Sequence, residues 1–153
     1  MARKLGNFGA LAPNLKSRNV SGLTHTSKLD REIWAEFDAD WNAYETTCCV
    51  TGIALPQCLI ASHIVPWSVE EDTRTDPTNG LCLSATFDRL FDAGLMTVTV
   101  DLAVRFSTRL LKSSQLLVRD LICVYNGRPI KRPHRFLPAG AYLKWHHEHR
   151  FIT

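Results

Sequence analysis

Apolar and polar positions change their spacing several times along the chain, and each change marks an element. From Ser27, the residues Leu29, Ile33, Phe37, Trp41 and Tyr44 recur every three or four positions with Trp34 alongside and acids between them. This is the period of an amphipathic helix, with Ser27 as its cap. Thr47 to Gly52 ends it, and Cys58 to Ile64 reads as a short, mostly buried strand closed by Pro66. After a polar loop from Ser68 to Thr78, Leu81 to Leu83 forms a second strand, and Ser84 is placed to cap a helix carrying Phe87, Leu90 and Phe91 on one side. Gly94 stops that helix. Leu95 to Val100 and Ala103 to Phe106 fit a hairpin through Asp101 and Leu102, and Leu116 to Tyr125 is apolar with no decisive period. Asn126-Gly127 is a turn, and Pro138 to His149 reads as a closing helix with proline in its first turn.

These elements imply one α+β domain over residues 27–153, preceded by a flexible arm at 1–26 that carries Arg3, Lys4, Lys16 and Arg18 and no acid. A chain of 153 residues can bury a core without cross-links. The five cysteines, at 48, 49, 58, 82 and 123, are odd in number and contain no C-x-x-C pair, which suits neither a disulfide framework nor a four-cysteine zinc site. Met1-Ala2-Arg3-Lys4 leads into no apolar run, so the expected location is the reducing cytoplasm. Residues 46–69 lack Asp, Glu, Lys and Arg, but Pro56, Gln57, His63 and Pro66 argue for buried strand and loop rather than a membrane span.

The net charge of +3 is too mild to announce a nucleic-acid binder, yet it conceals a division. Residues 1–18 carry +4, residues 19–100 carry −8, and residues 101–153 carry +7. An acidic middle with basic flanks suits a site that wants carboxylates and a surface that meets phosphates. Arg89, Arg128, Lys131, Arg132, Arg135 and Lys144 are the candidate phosphate-gripping residues.

The middle block also holds the candidate chemistry. His63 ends the first strand, Asn79 starts the second, and Asp88 and Asp92 stand four apart on the helix, where both carboxylates share one face. An imidazole beside paired carboxylates suits metal-assisted phosphodiester hydrolysis, in which the histidine takes a proton from water. Oxygen ligands favour a hard cation, Mg²⁺ first and Mn²⁺ second.

Four linked segments carry a resemblance: Cys49-Val-Thr-Gly52, Ala61-Ser-His-Ile-Val-Pro-Trp67, Asn79-Gly-Leu-Cys-Leu83 and Leu90-Phe-Asp-Ala-Gly-Leu95. In order and spacing they resemble the HNH endonucleases of the ββα-metal group, and Leu143-Lys-Trp-His146 with Phe151 resembles the closing segment of the same proteins. The resemblance spans roughly residues 29–151. It implies a ββα-metal core with an N-terminal helix, an additional β-hairpin and a C-terminal helix, acting on DNA and leaving 5′-phosphate and 3′-hydroxyl ends. His63 would be the general base, Asn79 the brace that orients it, and Asp88 the third signature residue, a carboxylate where many members have a metal-binding histidine. Asp92 matches a further ligand position.

Two departures qualify the match. Ser62 stands at the metal-ligand position directly before the base, where many members carry Asp or His, so metal binding is expected to be weak or water-rich. Of four positions that hold structural zinc in some members, only Cys49 keeps a ligand, with Gly52, Ser84 and Phe87 at the others, so no structural zinc is expected.

Plainer roles remain for several of these residues. Asn79 also suits a turn before Gly80, Asp88 a solvated helix acid, and Asp92 a turn-bonding residue before Gly94. His146, His147 and His149 do not share one helix face, and His146 is the one expected to come nearest the site. Cys48 and Cys49 have no activating neighbours and read as packing residues rather than nucleophiles. A second function also fits the pattern: a nucleic-acid-binding or assembly module of the same fold with catalysis lost. No separate sequence-reading domain is present, so cleavage specificity would come from a homodimer, a partner chain or a longer protein.

Overall fold

The computed structural model describes residues 42–66, 68–70, 73 and 76–153. The expected arm at 1–26 and nearly all of the helix from Ser27 lie outside the described residues. Asn42 and Ala43 are helical, and Tyr44 is buried against the core. Glu45 and Thr46 both take positive φ, and the chain turns back so that Cys48 and Cys49 lie under the first sheet.

Strand β1, Leu59–His63, pairs antiparallel with β2, Gly80–Ser84, with Leu59 opposite Ser84 and His63 opposite Gly80. Every residue of β2 is buried. One reason is cover from the Cys48–Cys49 turn, where Cys49 N–H donates to Cys82 O and Ser84 N–H donates to Cys48 Sγ. Helix α1, Ala85–Asp92, follows β2 directly and completes a ββα unit. Phe87 and Phe91, four apart, fall on its inner face and are buried, as the sequence spacing requires. Emptying either site would cost about 3–5 kcal/mol.

A second sheet follows. Strand β3, Met96–Val98, pairs with β4, Val104–Phe106, with Met96 opposite Phe106. Then come the short helices α2, Thr108–Leu111, and α3, Leu116–Leu121, a 3-10 turn at Cys123–Tyr125, and α4, Gly140–His149. Phe87 meets Tyr125 edge-on at 5.5 Å, tying the 3-10 turn to α1. The class is α+β, with both small sheets antiparallel. Among the described residues, no helix is long and apolar enough to cross a membrane.

Two local expectations need correction. Ser84 occupies the cap position of α1, but its side chain makes no capping hydrogen bond. Pro138 lies ahead of α4 rather than in its first turn, because Ala139 N–H donates to Thr78 O and holds the chain extended up to that point. Leu116 to Tyr125, ambiguous in the sequence, is a short helix followed by a 3-10 turn, and Leu116, Leu117 and Leu121 stay exposed on α3.

Gly94 has a stricter role than stopping α1. Its φ is +69, and a Cβ there would run into the carbonyl of Arg150, while Gly94 O accepts from Ile152 N–H at 2.8 Å. Only a residue without a side chain lets the C-terminal segment lie against the end of α1.

Candidate active site

The pairing of β1 with β2 sets the geometry. Because His63 faces Gly80, the long connection from Ile64 to Asn79 closes at the very end where the histidine stands. Asn79 is wholly buried and ties that connection together. Its Oδ1 accepts from Val65 N–H at 2.8 Å, and its Nδ2 donates to Val65 O at 3.1 Å and Thr73 O at 3.2 Å. Its backbone carbonyl accepts from Ile64 N–H at 2.9 Å. All of the side chain's bonding goes to backbone of the connection that follows His63, so Asn79 braces the loop and is shielded from solvent. The plain reading of Asn79 as a turn residue and the bracing role coincide.

A second brace lies behind the first. Asp76 caps the 3-10 turn Pro77–Asn79, its Oδ1 accepting from Thr78 N–H at 2.8 Å and from the Thr78 hydroxyl at 2.7 Å. Tyr142, on α4, donates its hydroxyl to Asp76 Oδ2 at 2.8 Å. Burial works against the Asp76 carboxylate, but bonds from Thr78 and Tyr142 bring it below its ordinary range. This pair is only half legible in the sequence. Asp76-Pro77 does carry a cap-then-proline signal, but Tyr142 lies 66 positions away and nothing local points to it.

The acids come from α1. The Ser62 hydroxyl donates to Asp88 Oδ1, joining the strand that carries the base to the helix that carries the acids. Burial pushes the Asp88 carboxyl up, the Ser62 bond and Arg89 pull it down, and the Asp92 charge pushes it up again. Asp92 lies toward the exposed end of α1, yet the protein crowding its carboxyl is the largest influence and raises it. The charges of Arg89, Arg150 and His63 act on Asp92 in the opposite sense. Ser62, His63, Asp88 and Asp92 therefore share one neighbourhood, with Asn79 beneath it.

The donor set fits a hard cation of modest affinity. Two partly desolvated carboxylates, both raised by burial and one of them further by its neighbour's charge, are relieved by a positive charge between them. Among the described residues, no three His, Cys, Asp or Glu side chains converge as a ready-made metal cluster. Two carboxylates with the remaining positions left to water and phosphate is the arrangement Mg²⁺ accepts most readily.

His146 does not enter this site. It is buried, stacks on Phe91 with ring centroids 3.7 Å apart, accepts at Nδ1 from the Thr97 hydroxyl at 3.0 Å and donates from Nε2 to Phe91 O at 3.2 Å. The Phe91 carbonyl requires the proton on Nε2, and burial favours the neutral ring, which leaves Nδ1 as the acceptor. The residue bolts α4 to α1 and β3 instead of touching substrate. Burial pushes it down to about 4 from an ordinary 6.5, against the Phe91 carbonyl and with the help of Arg150 and His147.

The unfolded chain therefore binds a proton at His146 that the folded chain refuses. The corresponding stability is fully present above pH 6.5 and is lost as pH falls toward 4. The expected loss is on the order of 3 kcal/mol. Urea unfolding at pH 7 and pH 4.5 measures it, and His146→Asn should flatten the difference. An equal pH dependence in both proteins would contradict the assignment.

The basic candidates are spread around the molecule. Arg89 is exposed on the last turn of α1, Arg132 and Arg135 are exposed after the second sheet, and Arg128 lies 5.6 Å over the Tyr125 ring. Lys144 is 3.8 Å from Glu148 on α4. Lys131 is already engaged: Glu45 takes Lys131 Nζ at 2.7 Å and His134 Nε2 at 2.6 Å, and these bonds hold the Glu45 carboxyl down to about 2. Cys48 and Cys49 are buried, and burial pushes the Cys49 thiol well up, as packing cysteines require.

No curated protein matches the chain. Residues 48–99, about a third of the chain, match the family model described as HNH endonuclease, and they contain β1, β2, α1 and β3 with all of His63, Asn79, Asp88 and Asp92. With the ββα unit already built from these same residues, this segment is similar to the HNH endonucleases, and the likeness supports the nuclease class in general.

Proposed function

We propose that this domain is a divalent-metal-dependent endonuclease that hydrolyses DNA phosphodiester bonds, with His63 as general base. The observation that supports it best is the Ser62–Asp88 hydrogen bond, which sets the strand of the base against the helix of the acids. A cation held by Asp88 and Asp92, Mg²⁺ before Mn²⁺, would supply neutralisation of the charge on the phosphate and the departing 3′ oxygen.

The chain's own residues do the rest. His63 takes the proton of the attacking water. Asn79 and the Asp76–Tyr142 pair keep the histidine loop from shifting, which matters because misplacement of about 1 Å can cost on the order of 100-fold in rate. Ser62 takes the ligand position's place as a positioning residue: it fixes one oxygen of Asp88 and adds no charge. Arg89, Arg128, Arg132, Arg135 and Lys144 meet backbone phosphates, with Lys131 contributing less because Glu45 competes for it. Contacts of this kind grip without reading sequence, so specificity falls to a second copy or a partner chain.

A second reading, a binding module without catalysis, draws on Ser62, which is taken up by Asp88 and brings no charge of its own to a cation. Supercoiled plasmid separates the two. The nuclease reading expects nicked and linear product with Mg²⁺ or Mn²⁺ and none with EDTA, with 5′-phosphate ends; a gel shift without cleavage in any divalent metal would leave the binding module.

A further inference from the structure

From Arg128 to Ala139 the chain has no helix and no ladder strand, yet it is pinned along its length. Pro129 bridges to Ala103, Lys131 N–H donates to Cys49 O at 2.7 Å, His134 N–H donates to Ala43 O at 2.8 Å, and Ala139 N–H donates to Thr78 O at 3.0 Å. Pro133 and Pro138 fix φ on either side of Arg135-Phe136-Leu137. That short stretch is therefore a stiff knuckle rather than a loose loop.

Its side chains are the wrong ones for a solvated knuckle. Phe136 is 42% exposed and Leu137 is 50% exposed. Phe136 also holds φ +56, a left-handed conformation that a bulky residue rarely keeps. Glycine or asparagine would sit there without strain, and the 42% of Phe136 left facing water gains nothing from folding to offset it. Strain retained at an exposed position points to a use for the side chain.

The surroundings say what kind of partner. Arg132 and Arg135 flank the knuckle and are exposed. Ala139 is pinned to Thr78, next to Asn79, and Gly80 lies opposite His63. Phe136 lies three positions before Ala139, so the ring's backbone lies within about 11 Å of that pin. An apolar side chain held rigidly among cations, on a segment tied to the turn that braces the candidate site, matches the way architectural proteins part stacked bases.

We propose that Phe136, backed by Leu137, is a wedge that enters the minor groove of duplex DNA and unstacks one base step near the scissile phosphate, while Arg132 and Arg135 hold the flanking phosphates. The inference rests on the reading of this domain as a DNA nuclease. It gives this domain a preference of its own, for easily unstacked pyrimidine–purine steps.

The test needs no cleavage. Duplex DNA with 2-aminopurine at a central TA step is titrated with the intact protein in EDTA, and fluorescence and affinity are read together. The expected result is a several-fold rise in fluorescence with the unmodified protein, and loss of that rise with Phe136→Ala together with binding weakened by about tenfold. Phe136→Gly should lose the rise equally while melting at a higher temperature than Phe136→Ala, because glycine is unstrained at φ +56. Arg132→Ala with Arg135→Ala should flatten the salt dependence of binding and keep the rise at saturation. Tight binding with flat fluorescence, or a rise that survives Phe136→Ala, would overturn the wedge and leave the nuclease reading standing. An unmodified protein that does not bind duplex at all would overturn both. A dimer in sedimentation that falls apart in Phe136→Ala would show that the knuckle meets a second copy instead, and would overturn the wedge.

Discussion

Alanine in place of His63 is expected to lower the rate of plasmid nicking by about 10²- to 10⁴-fold, the usual contribution of a positioned proton acceptor. His63 is half-buried at the end of β1, and its backbone pairing with Gly80 does not need the imidazole. The loss should appear in the single-turnover rate at saturating metal, with little change in duplex affinity, because the proton is taken only as water attacks. A fall in affinity that accounts for the whole effect would instead make His63 a DNA contact.

The second large effect concerns folding. Asn79→Ala removes three side-chain hydrogen bonds at a wholly buried position and strands Val65 N–H, Val65 O and Thr73 O away from water. Each orphaned group costs about 1–3 kcal/mol, so the sum is a large part of the roughly 5–15 kcal/mol that holds a domain of this kind folded. Asn79→Asp should be no milder, since it keeps an acceptor for Val65 N–H but sets a buried carboxylate against two carbonyl oxygens. Urea unfolding by circular dichroism checks both, and a variant with the midpoint of the unmodified protein would refute the brace. His63 and Asn79 thus separate the two halves of the motif: one is expected to cost rate, the other the loop that carries it.

Much of this was legible in the sequence where local chemistry and periodicity agree. β1, β2 and α1 were readable because Leu59 to His63 and Gly80 to Ser84 are short apolar runs bounded by turns, and because Phe87 and Phe91 repeat at helical spacing. The family likeness named His63, Asn79, Asp88 and Asp92 as a set, and the fold brings their elements together. What stayed hidden depends on contacts distant in sequence. Tyr142 reaches Asp76 across the whole second sheet, and Arg150 comes to the end of α1 only because Gly94 has no side chain to block it.

Other features could not be settled locally, for physical reasons. Leu116, Leu117 and Leu121 show no decisive period, because the helix is too short to present one inward face, and they remain outside the core. His146 is the C-terminal histidine expected nearest the site, whereas its ring is used up by Phe91 and Thr97. Lys131 looked like one cation among several until Glu45, 86 residues earlier, was found bonded to it.

The claim that matters most is that the base and the acids act together at one site. It is tested by plasmid nicking in Mg²⁺ and Mn²⁺ with the unmodified protein, His63→Ala, Asp88→Ala and the double variant, side by side. Groups that act as a unit lose most of their effect with the first removal, so each single variant should fall by at least about 100-fold and the double variant little further. Cleavage that persists in both single variants, or an unmodified protein that binds plasmid and never cuts it in either metal, would contradict the account.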